Sequence, residues 1–227
     1  DRLASEFLFL NFAQKSAPMF VPNAYSKDND AGLALYEYIA GNPLTTNDLT
    51  HKELSQAIDF FCLLNNPDMK KHASYLPLAS EAGFSIADHI ALVDQRIKQL
   101  QQAILNVHQD AHEVIAHLSD CWQSISEICQ KDALKNDFDM EAKLDSAQQC
   151  ISPSDFGFHN ALVRKDQRIC FIDFEYAGWD DPARMVNDFF SQLAVPVPPT
   201  CYDWFVGSVM APFPQSELMI KRAKLLR

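Results

Sequence analysis

The sequence predicts an α+β chain in which helices outweigh a few short strands. Three observations predict it. Apolar residues recur at three- or four-residue steps through Ser85–Lys131, the spacing of one helix face. Two runs rich in aromatic and apolar residues, Met19–Ser26 and Gly32–Ile39, read as strands. Three brief extended pieces, Cys150–Ser152, Ala161–Lys165 and Ile169–Asp173, stand apart from them late in the chain. The order helix, strands, helices, short strands, helices is that of an α+β domain with a small sheet near its start.

Taken in order, Leu3, Phe7, Leu10 and Phe12 suggest a short helix carrying Glu6. The two aromatic-rich runs form a hairpin, with Lys27-Asp28-Asn29-Asp30 as its turn. Gly41-Asn42-Pro43 is expected to end the second strand, because proline has no N–H for a sheet ladder. Thr50 and Glu53 have capping-box spacing, and Leu54, Ile58, Phe61, Cys62 and Asn65 follow as a helix. Residues 66–85 read as a connector. The stripe from Ile86 to Cys129 is too long for one helix in a compact domain, so two core-packing helices are expected, breaking near Val107–Ala111. Residues 182–227 return to helix, interrupted at Pro196–Pro199 and Pro212–Pro214.

Composition narrows the function classes. Across 227 residues, 30 acidic side chains against 19 basic ones leave a formal net charge of −11, the wrong sign for a nucleic-acid footprint. No apolar run approaches the roughly 18 residues of a membrane span, and no signal peptide is evident. The six cysteines are dispersed without a C-x-x-C pair, which suggests reduced thiols in a cytoplasmic protein. The six glycines are isolated from one another, so neither G-x-G-x-x-G nor G-x-x-x-x-G-K-[ST] occurs.

The chemistry concentrates in two stretches, Ile151–Val163 and Ile169–Pro182. Asp155 and Asn160 bracket a glycine-containing loop. Residues 161–165 run out, Asp166-Gln167-Arg168 turn, and 169–173 run back, returning Asp173 beside Asn160. Two carboxylates and a carboxamide then converge at one end of a hairpin. Such oxygen ligands suit Mg²⁺ bound with phosphate oxygens, and the remaining carboxylate is free to accept a hydroxyl proton.

With Asp155, Asn160 and a second Asp eighteen residues after the first, the sequence resembles the protein-kinase-like phosphotransferases. Ile172-Asp-Phe-Glu-Tyr-Ala-Gly-Trp179, with Asp181-Pro182 behind it, is similar to the aminoglycoside phosphotransferase and choline kinase group. Tyr36-Glu37-Tyr38-Ile39-Ala40-Gly41 resembles that family's adenine-binding hinge, and Glu6 falls where its ion-pairing Glu lies. The resemblance implies a two-lobed fold: a truncated N-lobe over residues 1–41 with a small antiparallel sheet, and a mainly helical C-lobe over 42–227. It implies that Asp155 deprotonates the acceptor hydroxyl and that Asn160 and Asp173 hold Mg²⁺ across ATP. Tyr36, the Glu37 carbonyl and the Ile39 amide would mark the adenine site, with Glu6 on the cofactor side. The expected partner is a small-molecule hydroxyl: a sugar, an aminoglycoside-like compound or an amino alcohol. The family's glycine-rich strand pair and phosphate-binding Lys would precede Glu6, so a catalytic chain needs them upstream.

Departures from the family pattern are equally specific. Pro153-Ser154 replace the usual His-Gly, Gly157 stands where a His is common, and His159 directly precedes Asn160. Met185 takes the last position of D-P-x-x-D, with Asp188 three residues on. A non-catalytic kinase-like protein that binds a nucleotide or partner is the alternative reading; a metal-dependent phosphatase lacks ligands for a second metal. Elsewhere, His112 and His117 are five apart and miss the zinc-protease spacing, while His108 and His112 lack a third ligand, so surface histidines are expected. Trp179, Tyr202, Trp204 and Phe205 suggest core packing or a lid ahead of a cage for a cation. Asp180, Asp181 and Asp188 read either as an amine-attracting group or as a solvated acidic edge. Glu175 is either a second metal-proximal acid or a structural hydrogen bonder.

Overall fold

A computed structural model describes residues 2–103 and 109–227. Helix α1 spans Arg2–Ser16 and runs on past the short helix expected around Glu6. It buries Phe9, Leu10, Phe12 and Ala13. The first strand is shorter than expected. Pro18–Phe20 form a 3-10 turn with proline at its start, and β1 occupies only Ala24–Asp28. β2 (Leu33–Tyr36) pairs with it antiparallel. The turn lies one or two residues later than predicted, because the Asp28 carboxylate accepts from the Asp30 and Ala31 amides at 3.0 Å each.

Gly41–Pro43 overturns its expected role as a strand terminator. It forms β3, paired antiparallel with β5 (Ala161–Arg164), and Pro43 sits opposite Leu162. The proline is tolerated because β3 is an edge strand, where one side needs no donor. Gly41 is required at that contact, since a Cβ there would lie 2.8 Å from the Val163 carbonyl oxygen.

Helix α2 (His51–Leu64) opens with the predicted box, the Thr50 amide donating to Glu53 at 3.0 Å and the Thr50 hydroxyl oxygen accepting from Lys52 N–H at 3.2 Å. The connector holds one short helix the sequence did not suggest, α3 (Pro67–Lys70), capped by Asn66. Two helices then follow, α4 (Ile86–Ala103) and α5 (Gln109–Lys135). The expected break falls partly on Val107 and His108, which lie outside the described residues, as does Ile104; residues 109–111 are already helical. The stripe on α5 is not a core stripe. Val114, Leu118 and Ile125 are exposed, and Trp122 is tied to α4 by a 2.6 Å hydrogen bond to Asp94. Amphipathic spacing marks a face and does not name what covers it.

The remaining strands are short. β4 (Cys150–Ser152) pairs with β7 (Gly178–Asp180), and β6 (Ile169–Phe171) completes the sheet β3-β5-β6. Helices α6 (Pro182–Ser191), α7 (Tyr202–Met210) and α8 (Ser216–Leu225) close the chain. One apolar core runs from Phe9 in α1 to Ala223 in α8. Phenylalanines dominate its centre: Phe60 stacks on Phe171 at 4.9 Å, Phe156 meets Phe189 at 4.8 Å, and Phe9 meets Phe174 at 4.7 Å. No helix among the described residues is long and apolar enough to cross a membrane.

Candidate active site

The polar stretch is held by its apolar neighbours. Phe156 and Phe158 are buried on either side of Gly157, and Phe171 and Phe174 are buried on either side of Ile172-Asp173. Four rings locked into the core fix the backbone, and the flanking Asp155 and Asp173 side chains are exposed. Ser154 (φ 50°), Asp155 (φ 39°) and Asp173 (φ 66°) all adopt left-handed backbone. Each such conformation costs on the order of 1 kcal/mol in a residue with a Cβ. The Ser152 hydroxyl steadies the first kink by accepting from the Ser154 amide at 3.0 Å.

The β5–β6 register pairs Ala161 with Phe171, and the Ile172 amide donates to the Asn160 carbonyl at 2.9 Å. Asp173 therefore leaves the hairpin next to Asn160, and Asp155, Asn160 and Asp173 line one small crevice. The left-handed turn at Asp173 ends the returning strand two residues earlier than predicted.

Three side chains converge on Asp155. The Asn160 amide nitrogen donates to its Oδ2 at 3.2 Å, the Gln192 amide nitrogen to Oδ1 at 3.0 Å, and His159 Nε2 lies 3.3 Å from Oδ1. With its nitrogen so engaged, Asn160 has its carbonyl oxygen left for another partner. His159 Nδ1 is buried without a partner among the described residues. Gly157 makes room for this arrangement: a Cβ there would lie 2.7 Å from His159 Nδ1 and 2.9 Å from Gln192 Cγ. Gln192 was missed by the sequence reading. It follows α6, and only the packing of that helix brings it to a residue 37 positions earlier.

Asp173 is held above the ordinary carboxyl range by burial, by Glu175 and by Asp155, with His159 only partly offsetting them. No arginine or lysine among the described residues pairs with it. Glu175 is itself ion-paired to Arg2 at 3.1 Å.

Of the residues expected on the cofactor side, Glu6 and Tyr36 are linked. The Tyr36 hydroxyl donates to Glu6 Oε2 at 2.9 Å, and the Phe174 amide donates to Glu6 Oε1 at 3.4 Å. Glu6 thus ties the hairpin to the residue after Asp173. Burial, together with Glu6, raises the Tyr36 hydroxyl far above its usual range. The Glu37 carboxylate accepts from the Asn23 side chain at 2.7 Å. Neither the Glu37 carbonyl nor the Ile39 amide is hydrogen-bonded among the described residues.

The acidic group after β7 departs from a solvated edge. Asp180 and Asp181 are buried. Asp181 caps α6, accepts from Ala183 N–H at 2.8 Å, and meets Arg222 at 2.7 Å and His89 at 2.9 Å. Burial alone would raise its carboxyl, but His89 and Arg222 outweigh that and hold it low. The aromatic group does not assemble either. Phe205 stacks on Phe189 in the core, Trp204 lies against His51, Tyr202 is buried, and Trp179 belongs to a separate groove with Lys70 over its ring. His112 and His117 are exposed, as expected of surface histidines.

A sequence profile described as the phosphotransferase enzyme family (APH) matches residues 1–194. The chain belongs to that family. Solved structures agree on the protein-kinase-like fold. A choline/ethanolamine kinase family protein from Mesorhizobium loti superposes with a TM-score of 0.58 at 16% identity, over 100% of this chain and 67% of that one. The choline kinase from Cryptosporidium parvum gives 0.58 at 14% identity, over 100% and 68%. The ADP-bound aminoglycoside phosphotransferase APH(2'')-Ib gives 0.57 at 15%, over 98% and 70%. This member of the family thus spans about two-thirds of the length of these neighbours. No curated protein sequence matches it.

Proposed function

We propose that this phosphotransferase-family chain carries the acceptor and metal side of an ATP- and Mg²⁺-dependent kinase acting on a small-molecule hydroxyl. The supporting observation is the convergence of Asp155, Asn160 and Asp173 on one crevice. Asp155 takes the proton as the acceptor oxygen bonds to the γ-phosphorus and the bond to the β-bridging oxygen breaks, releasing ADP. The Asn160 and Gln192 amides donate to the carboxylate, and with the His159 ring beside them they hold it in one orientation for that transfer.

The donor set fits Mg²⁺. Asp173 is a carboxylate crowded by others and lacking a cation, and Asn160 retains an open carbonyl oxygen. Two protein oxygens suit an ion that takes the rest of its octahedron from phosphate and water. When bound, Mg²⁺ supplies charge neutralisation across the phosphates. The unbonded Glu37 carbonyl and Ile39 amide suit the donor and acceptor edge of adenine, with Tyr36 beside them. Glu6 keeps the segment after Asp173 in register with α1. Residues 1–41 then serve the nucleotide side and 42–227 the acceptor side. The acceptor classes proposed are sugars, aminoglycoside-like compounds and amino alcohols.

The test uses the natural full-length protein with ATP and Mg²⁺. Asp155→Ala and Asp173→Ala are each expected to lower phosphoryl transfer by at least about 10³-fold, with an unchanged circular dichroism spectrum. Turnover within a few-fold of the parent in either variant defeats the residue assignment, and a parent that transfers no phosphate leaves a non-catalytic binding role.

A further inference from the structure

The cleft that opens from Asp155 has a volume of about 670 Å³, within the range of roughly 300–1,000 Å³ usual for small-molecule sites. Its guanidiniums are already engaged. Three carboxylates (Glu81, Asp155, Asp188) and three guanidiniums (Arg2, Arg96, Arg184) line it, and each guanidinium is held by a carboxylate. Arg96 grips Glu81 through two donors, the Nε contact being 3.2 Å. Arg184 reaches Asp188 at 3.4 Å, Asp180 at 3.5 Å and Glu81 at 3.9 Å. Arg2 is paired with Glu175, and its guanidinium lies 4.8 Å over the Tyr176 ring. Of the three lining carboxylates, only Asp155, the proposed base, has no arginine partner among the described residues.

A primary or quaternary ammonium needs an unmatched carboxylate or an open aromatic face. Apart from the base itself this cleft offers neither, because Tyr176 is its only phenyl-type ring among the described residues and that ring is covered. An anionic acceptor would need an unmatched guanidinium, which is equally absent from the described lining. The groups that remain open are neutral. The hydroxyls of Ser80 and Ser191 make no hydrogen bond among the described residues, and the Gln192 carbonyl oxygen is free while its nitrogen holds Asp155. Leu92 and Val93 supply an apolar wall. Hydroxyl and carbonyl partners beside an apolar surface match a molecule that carries many hydroxyls on a C–H face.

Resting on the kinase reading above, we infer that the acceptor is an uncharged polyhydroxylated molecule, a sugar or related polyol, and not an ammonium-bearing one. An amine entering this cleft loses its hydration and finds no unpaired carboxylate except the base itself, and this acts against the aminoglycoside and amino-alcohol classes alike.

Matched pairs test this directly. The full-length protein, with ATP and Mg²⁺, is given each neutral sugar beside its amino-sugar analogue, and choline beside neutral short polyols, with product measured by mass spectrometry. The neutral member of each pair is expected to show a kcat/KM at least about tenfold higher. Equal or better use of the amine overturns the inference. Arg96→Gln, which removes the principal partner of Glu81, is expected to shift the ratio toward the amino sugar by about tenfold, and an unmoved ratio counts against the charge-matching argument. Asp155-dependent formation of ADP across the whole panel keeps the two readings apart: its absence with every acceptor sinks the kinase assignment, whereas its presence with an amine preference sinks only the acceptor class.

Discussion

Asp173 and Asp181 stand eight residues apart and follow opposite rules. Asp181 is fully buried yet stays low in pKa, because Arg222 and His89 close on it from α8 and α4. Asp173 is less buried yet is raised, because burial is joined by Glu175 and Asp155 as charged neighbours, with no guanidinium paired to it among the described residues. Counter-charge, more than depth, decides which carboxylate the fold has satisfied. One is a structural knot joining three helices; the other is a carboxylate that no guanidinium or ammonium pairs with among the described residues. Asp180 lies between these cases. It is buried beside Asp181, but its partner Arg184 is shared with Asp188 and Glu81, and burial pushes its carboxyl up to about 7.

Breaking the knot should have the largest effect. Arg222→Met leaves the Asp181 carboxylate buried with His89 alone, and loss of one partner of a buried pair costs about 3–5 kcal/mol. For a chain of this size that is roughly ten degrees of melting temperature, read by calorimetry. A shift under about two degrees means that Asp181 is held by His89 and the α6 cap without help from α8.

The site side of the comparison is probed by Gly157→Ala. The added methyl occupies the space of the His159 ring and the Gln192 side chain, so Asp155 loses the Gln192 donor and the ring beside it. Phosphoryl transfer is expected to fall about tenfold or more through kcat, with a melting temperature close to that of the parent. Unchanged kcat would show that Asn160 alone orients the base.

The smallest effect concerns Asp180. Its carboxyl is raised on folding, so the folded state binds a proton that the unfolded chain has lost between about pH 4 and 7. This group therefore lowers stability as pH climbs through that window, the opposite of Asp181. Asp180→Asn should match the parent at pH 4 and exceed it by a few degrees at pH 8. A constant difference across that range would place the full effect on lost contacts to Arg184.

Local signals carried much of this chain, and their failures have a common cause. The Thr50–Glu53 box, the hairpin that returns Asp173 to Asn160, and the glycine-containing loop between Asp155 and Asn160 all depend on residues near one another in sequence. Gly41–Pro43 was misread because a proline is excluded only from the inside of a sheet, and edge position is not written locally. The α5 stripe was misread because periodicity defines a face without its partner. Gln192, Arg222 and Arg184 carried no signal at all, each being an ordinary polar residue on or beside a helix.

Spacing and residue type by themselves determined the catalytic-loop pattern, because Asp155, Asn160 and Asp173 are joined by one short hairpin whose geometry leaves little choice. Tertiary packing alone decided which acids were satisfied and what the cleft can accept. Pairings such as Arg222 with Asp181, Arg96 with Glu81 and Gln192 with Asp155 span 15 to 41 residues, and only the burial of helices against one core brings those groups within reach.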